Sequence, residues 1–281
     1  MKEGISKIAV ALAFSPRAEA LLSEAKRIAH KFNAEILIFH IGVRTEEKEA
    51  DFAGLLEKVF ETNQPSIKWK NGKVVRIVRE MCHQENIDLL ILGALQNENL
   101  LRYYSGSVAR KLSRNPPCSI LLVTNPKRLE NRLGSVVISG SSSHLGIKNT
   151  LAIGVDFANR FGVSDITIVE EVAPKKINTR ITDERSLHQV NDEKEKLKLK
   201  ENNRLIELLK ELEVKNRTAL KLQCIFGKKG YSIGHYAEVN KASLLVLPAP
   251  EQKLGVLDRI FPHDLEYVLS DTPCDLMIVK K

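Results

Sequence analysis

The chain has 281 residues, 43% of them apolar, which is ample for packed cores and, by length, leans to two ordinary domains. The formal charge is +8, but lysines and glutamates interleave, as in EKEKLKLKENNR, and aromatics make up only 5% of the chain. A basic stripe with stacking platforms is therefore not indicated, and no specific nucleic-acid partner is expected.

No apolar run approaches the roughly 20 residues that cross a bilayer. The basic-then-apolar start, MKEGISKIAVAL, lacks a small-residue cleavage site and leads into a strand-helix pattern. It reads as a first core strand, which sets the expectation of a cytoplasmic protein with no direct membrane span. Cys82, Cys118, Cys224 and Cys274 lie far apart with no CxxC pair, so buried free thiols are expected rather than a zinc knuckle or disulfide framework.

Residues 7–13 (KIAVALA) read as the first strand. Phe14-Ser15-Pro16 breaks it, with Ser15 placed to cap the next helix and Pro16 suited to its first turn. Helical spacing follows in Ala18, Leu21, Leu22, Ala25, Ile28 and Ala29. Residues 35–41 form a second buried strand, and 45–62 an amphipathic helix with Phe52, Leu55, Leu56 and Val59 on one stripe. A strand at 66–70 precedes a helix carrying Val74, Val75, Ile77, Val78 and Met81. Leu89-Leu90-Ile91-Leu92 is an unbroken apolar run, as in a strand covered on both faces, and it stops at Gly93. A polar loop runs to Gly106-Ser107, and Val108 opens a helix that Pro116-Pro117 end before the strand 119–123. Alternating strands and helices of this kind build a parallel sheet, which binds ligands at the carboxyl ends of its strands.

Residues 125–134 (NPKRLENRLG) read as a linker, and the pattern then restarts. Strands are expected at 135–139, 165–172, 220–226, 243–247 and 275–279, and helices at 144–161, 230–240 and 264–270. Between them, 175–212 is a long polar segment, mobile over 175–190, passing into a helix with Leu197, Leu205, Leu208, Leu209 and Leu212 as its apolar face. NPPCSILLV and DTPCDLMIV match around Cys118 and Cys274, so the chain is a tandem repeat. The expected architecture is α/β, two tandem Rossmann-like domains at 1–125 and 135–281, each a five-stranded parallel sheet flanked by helices. An intramolecular domain pair is expected to cover exposed strand edges, and a homodimer remains open.

The fourth-strand glycine, the spaced loop closing in Gly-Ser and the run VARKLSRNPPCSILLV resemble the universal stress protein family, in its tandem-domain type. The resemblance spans both halves and implies an adenine nucleotide alpha hydrolase-like fold. It also implies a phosphate-wrapping loop after the fourth strand, an acidic residue ending the first strand, and adenine met by backbone at the end of the second. Carried across, these positions fall on Gly93, Gln96, Gly106, Ser107 and Val108 for the loop, on Ala13 for the acid, and on His40-Ile41 for the adenine backbone. Gln96 stands where the family has a glycine, and Ala13 where it has a carboxylate. Independently of the name, glycines let backbone approach phosphate, and a serine at a helix start adds a hydroxyl to free N–H groups. Arg102 and Arg110 could add charge-assisted contacts.

In the second half, Ala249, Gln252 and Pro262-His263 replace the loop glycines and serine, and Ser139 or Gly140 the acid. ATP binding is thus an open expectation for the first half and is not expected of the second. Ser139 to Ser143 also faintly resembles a pyrophosphatase loop, against which a serine-capped polar turn is preferred. His40 is read as making a structural hydrogen bond, and His235, His263, Glu170 and Glu171 show no metal-ligand spacing. The leading expectation is a non-catalytic stress-response or regulatory protein, with a small-molecule ligand open. A nucleotide-independent binding or docking module, transporter-associated or with a cavity near Leu247, Phe261 and Pro262, stands as the alternative, and an ATP-pyrophosphatase-type enzyme behind it.

Overall fold

Residues 4–93, 108–124, 133–141, 145–213, 220–250, 263–270 and 272–280 are described by the structure, a computed structural model. Two units of packing divide the chain: Met1–Leu133 together with Asp275–Lys281, and Gly134–Cys274.

In the first unit the apolar runs become strands β1 (Lys7–Ala11), β2 (Glu35–Ile41), β3 (Ser66–Lys70), β4 (Leu89–Gly93) and β5 (Ser119–Val123). They are parallel and ordered β3-β2-β1-β4-β5. Helices α1 (Ala18–Phe32), α2 (Glu46–Val59), α3 (Val74–Gln84) and α4 (Val108–Arg114) connect them, α1 packing on α2 and α3 on α4. Because crossovers are right-handed, the change of direction after β3 puts these pairs on opposite faces of the sheet. The strand order reverses between β1 and β4, so the crevice at their carboxyl ends is the place where this topology leaves room for a ligand. Central strands are sealed: Ile8, Ala9, Val10, Leu89, Leu90 and Ile91 are all fully buried.

Ser15 does not cap α1. Its carbonyl accepts from the Ala18 N–H at 3.0 Å, making a turn, and the N-cap is Arg17 with no side-chain bond. Thr45 does cap α2, accepting from Lys48 N at 3.3 Å.

The second unit repeats the plan with β6 (Ser135–Ser139), β7 (Asp165–Val172), β8 (Leu220–Phe226) and β9 (Leu244–Pro248), parallel in the order β9-β6-β7-β8. Its helices are α5 (Ile147–Arg160), α6 (Glu184–Glu211), α7 (Tyr231–Val239) and α8 (His263–Ser270). The N-cap of α5 is Gly146, with no serine cap. The stretch 175–190, expected to be loose, is instead organised. A 3-10 turn spans Pro174–Lys176, and α6 begins at Glu184 behind a capping box, with Ser186 N donating to Asp183 at 2.7 Å and Ser186 Oγ receiving the Asp183 N–H at 2.9 Å. Asn178 N and Thr179 Oγ1 donate to the Glu193 carboxylate, tying the intervening turn to the helix. Serine at the third helical position replaces the usual Glu or Gln, so the box escapes a sequence search for S/T-x-x-E.

The final strand, β10 (Asp275–Val279), groups with the first unit and runs antiparallel to β5, with Leu276 opposite Leu122 and Ile278 opposite Ile120. Its entry is fixed by Asp275, whose carboxylate accepts from both Thr124 N and Thr124 Oγ1 at 2.8 Å. Lys280 closes the other end, Nζ donating to Pro117 O at 2.7 Å. All four cysteines are buried free thiols.

Candidate functional site

At the carboxyl edge of the first unit, β1 extends through Leu12, whose N–H donates to Phe39 O at 3.0 Å. The Leu12 carbonyl in turn lies 3.0 Å from His40 Nδ1. A carbonyl only accepts, so Nδ1 carries the proton and His40 is a structural tie between β1 and β2. Three aromatic rings enclose the imidazole, with centroid separations of 5.3 Å to Phe14, 5.1 Å to Phe52 and 4.7 Å to Trp69. Phe14 also lies 4.5 Å from Phe52 but keeps 43% of its surface exposed. It borders a hollow of about 480 Å³ between the β1–α1 turn and α2, lined also by Pro16, Glu19, Asp51, Leu55 and Lys58. Sequence reasoning missed this aromatic knot, because its members come from the β1–α1 turn, β2, α2 and β3 and share no local pattern.

Of the sequence-derived site residues, Ala13 is exposed at the end of β1, Ile41 half-buried at the end of β2, and Gly93 exposed at the end of β4. Val108 starts α4 and is half-buried. Gln96, Arg102, Gly106 and Ser107 lie outside the described residues, so the loop itself is not placed against these strand ends. Ala13 supplies no carboxylate for a metal–nucleotide. Among the described positions at this edge, Ile41 ends β2 half-buried and Phe14 keeps part of its ring exposed.

The second unit's edge is built differently. The pairings Ala11–Phe39 in the first unit and Ser139–Val169 in the second set the two in one register, and Leu12 N→Phe39 O is matched by Gly140 N→Val169 O. Ser141 therefore stands where Ala13 stands, one or two residues beyond the sequence alignment, and Glu170 and Glu171 replace His40 and Ile41. Glu170, 1% exposed, pairs with Arg204 of α6 at 3.0 Å. Arg204 also binds Glu201 at 2.8 Å and the Gly140 carbonyl at 2.6 Å. Leu205 fills the space over Gly140, where an added Cβ would meet its methyls at 3.2 and 3.3 Å and Ile168 at 3.1 Å. Glu171 turns instead to the N-terminus of α7, accepting from Gly230 N at 3.1 Å and Ile233 N at 2.9 Å. A carboxylate thus sits on the helix end where an anion would otherwise bind. Leu247 is buried at the end of β9, whereas Phe261, Pro262 and Gln252 lie outside the described residues. Among the described residues no group of three or more His, Cys, Asp or Glu side chains could hold a metal ion, and no helix is long and apolar enough to cross a membrane.

A parallel α/β sheet flanked by paired helices, with its reversal point at β1 and β4, defines a Rossmann-like domain. Residues 4–124 match the model of the Universal stress protein family, and the first half of the chain is a domain of that family. No curated protein matches the chain by sequence. Among solved structures, a functionally unknown protein from Pseudomonas aeruginosa PAO1 has a similar fold, at 15% identity and TM-score 0.70, over 98% of this chain and 92% of that one. A universal stress protein from Archaeoglobus fulgidus DSM 4304 is similar at 12% identity and TM-score 0.69, over 98% of each chain. The cytoplasmic domain of a prokaryotic cation chloride cotransporter follows at 12% identity and TM-score 0.54, over 98% of this chain and 95% of that one. Both halves therefore share the fold of universal stress proteins in one chain.

Proposed function

We propose that this is a non-catalytic, cytoplasmic regulatory protein of the universal stress type, with a single adenine-nucleotide site confined to the first unit. Ile41 backbone meets the base, and Gly93, Gln96, Gly106, Ser107 and Val108 surround the phosphates, with Ala13 beside them as a neutral position. A bound nucleotide supplies a triphosphate for these backbone groups to order. The missing carboxylate at Ala13 leaves no metal anchor on β1, in keeping with binding rather than turnover.

One contrast carries the reading. The second unit covers its strand ends with Arg204 and Leu205 and caps α7 with Glu171, while Ala13 and Gly93 of the first unit stay exposed. Isothermal titration with ATP is expected to give a stoichiometry near one per chain, weakened by Ser107→Ala. A stoichiometry near two, no heat at all, or an affinity indifferent to Ser107→Ala overturns the proposal.

A further inference from the structure

Away from the strand ends, the seam between α3 and α4 holds a groove of about 630 Å³. Its rim is basic: Lys73, Arg76, Arg79 and Lys111 line it beside His83, with Glu80 the one carboxylate among the described residues. Lys73, Arg76, Arg79 and His83 recur at three- and four-residue intervals, so they form one stripe along α3, roughly 15 Å long at about 1.5 Å per residue. The floor is Val74, Val75 and Val108, and Val74 remains 38% exposed.

The charges are only partly answered among the described residues. Arg76 is held by Glu80 at 2.7 Å, and Arg79 reaches the Asn115 carbonyl through Nη2 while its buried Nε has no partner among the described residues. Neither Lys73 nor Lys111 has a carboxylate partner among the described residues. An isolated phosphate would neutralise only one end of so long a stripe. A nucleic-acid strand would match the charge, but among the described residues the floor is three valines, apolar surface that a row of phosphates would leave uncovered. An acidic helix with one apolar face satisfies both halves of the groove: leucine-like side chains over the valines and carboxylates against the cations.

We propose that the α3–α4 groove docks an acidic, amphipathic helical segment of a partner protein, independently of any nucleotide at the strand ends. The probe is a fluorescein-labelled peptide of about 12 residues, long enough at roughly 1.5 Å per residue to run the length of α3, with leucines at helical spacing and glutamates elsewhere. Against the full chain, its anisotropy should show saturable binding that weakens with salt, and hydrogen exchange should slow at residues 73–83 and 108–112. The double change Lys73→Glu with Lys111→Glu should weaken binding about tenfold. Val74→Glu should weaken it as well, and Lys200→Glu on α6 should leave it unchanged. All these positions are exposed or half-exposed, and circular dichroism verifies that each variant folds. A lysine-for-glutamate peptide should not bind. Absence of binding, equal binding by single-stranded oligothymidylate, protection elsewhere, self-association of the chain through α3 in place of peptide binding, or indifference to both the lysine and the valine changes would each overturn the proposal.

Discussion

Glu24 sits on α1 with 4% of its surface exposed, held by Arg27 through contacts of 2.9 and 3.0 Å. Burial outweighs the arginine, with Asp275 adding to it, and pushes the carboxyl from its usual 4.5 up to about 7. Folded protein therefore binds this proton more tightly than unfolded chain. The stabilisation is complete below about pH 4.5 and is lost as pH rises through about 7, a difference of about 3 kcal/mol. Urea denaturation at a series of pH values should show that decline, and Glu24→Gln should flatten it; an unchanged slope would refute the assignment. The position was legible in sequence, since residue 24 falls between Leu21 and Ile28 on the buried stripe. Its burial was not, because a glutamate there reads as the polar margin of the helix. The same lesson holds at Gly140, which reads as a loop residue yet lies under Leu205. Gly140→Ala should lower stability by about 1–3 kcal/mol through overpacking, measurable by thermal melting.

Among the elements, α6 departs most from its sequence reading. Of its expected leucine stripe, Leu205 and Leu209 are buried and Leu197, Leu208 and Leu212 half-buried; Ser186, Val190 and Glu201 are buried as well, Glu201 because Arg204 and Lys176 answer its charge. The register of β7 then brings Glu170 to the same guanidinium. Spacing along one helix cannot show that a carboxylate on a distant strand completes the pair. Arg204→Ala leaves two buried carboxylates without this cation and should cost about 3 kcal/mol or more, read from chemical denaturation. Asp183→Ala, which removes one half of the capping box, should cost only about 1 kcal/mol and raise proteolysis near residues 177–184. If Asp183→Ala proved as damaging as Arg204→Ala, the anchoring of α6 would lie at its N-terminus rather than at the sheet.

At the level of the whole molecule, the alternation of strands and helices, the repeat and the parallel sheets were all legible from apolar runs, turn residues and the NPPC and DTPC matches. The last strand, Asp275–Val279, was legible as a strand, but its antiparallel register on β5 was not. β10 covers β5 in the first unit, and truncation before Asp275 would expose a row of unpaired backbone groups along Ser119–Val123. The truncated chain should associate, and size-exclusion chromatography with light scattering should detect it; a well-behaved monomer would show that β5 needs no cover. By itself, the sequence determined the elements, the doubling and the family motif, since these depend on neighbours a few residues apart. Only the tertiary structure decided which strand ends are open and which are closed. That choice depends on Arg204, Leu205 and Glu171 meeting Gly140, Glu170 and Gly230 across more than thirty positions of chain. Long-range packing alone determines which charges are stripped of water and which remain at the surface for a ligand.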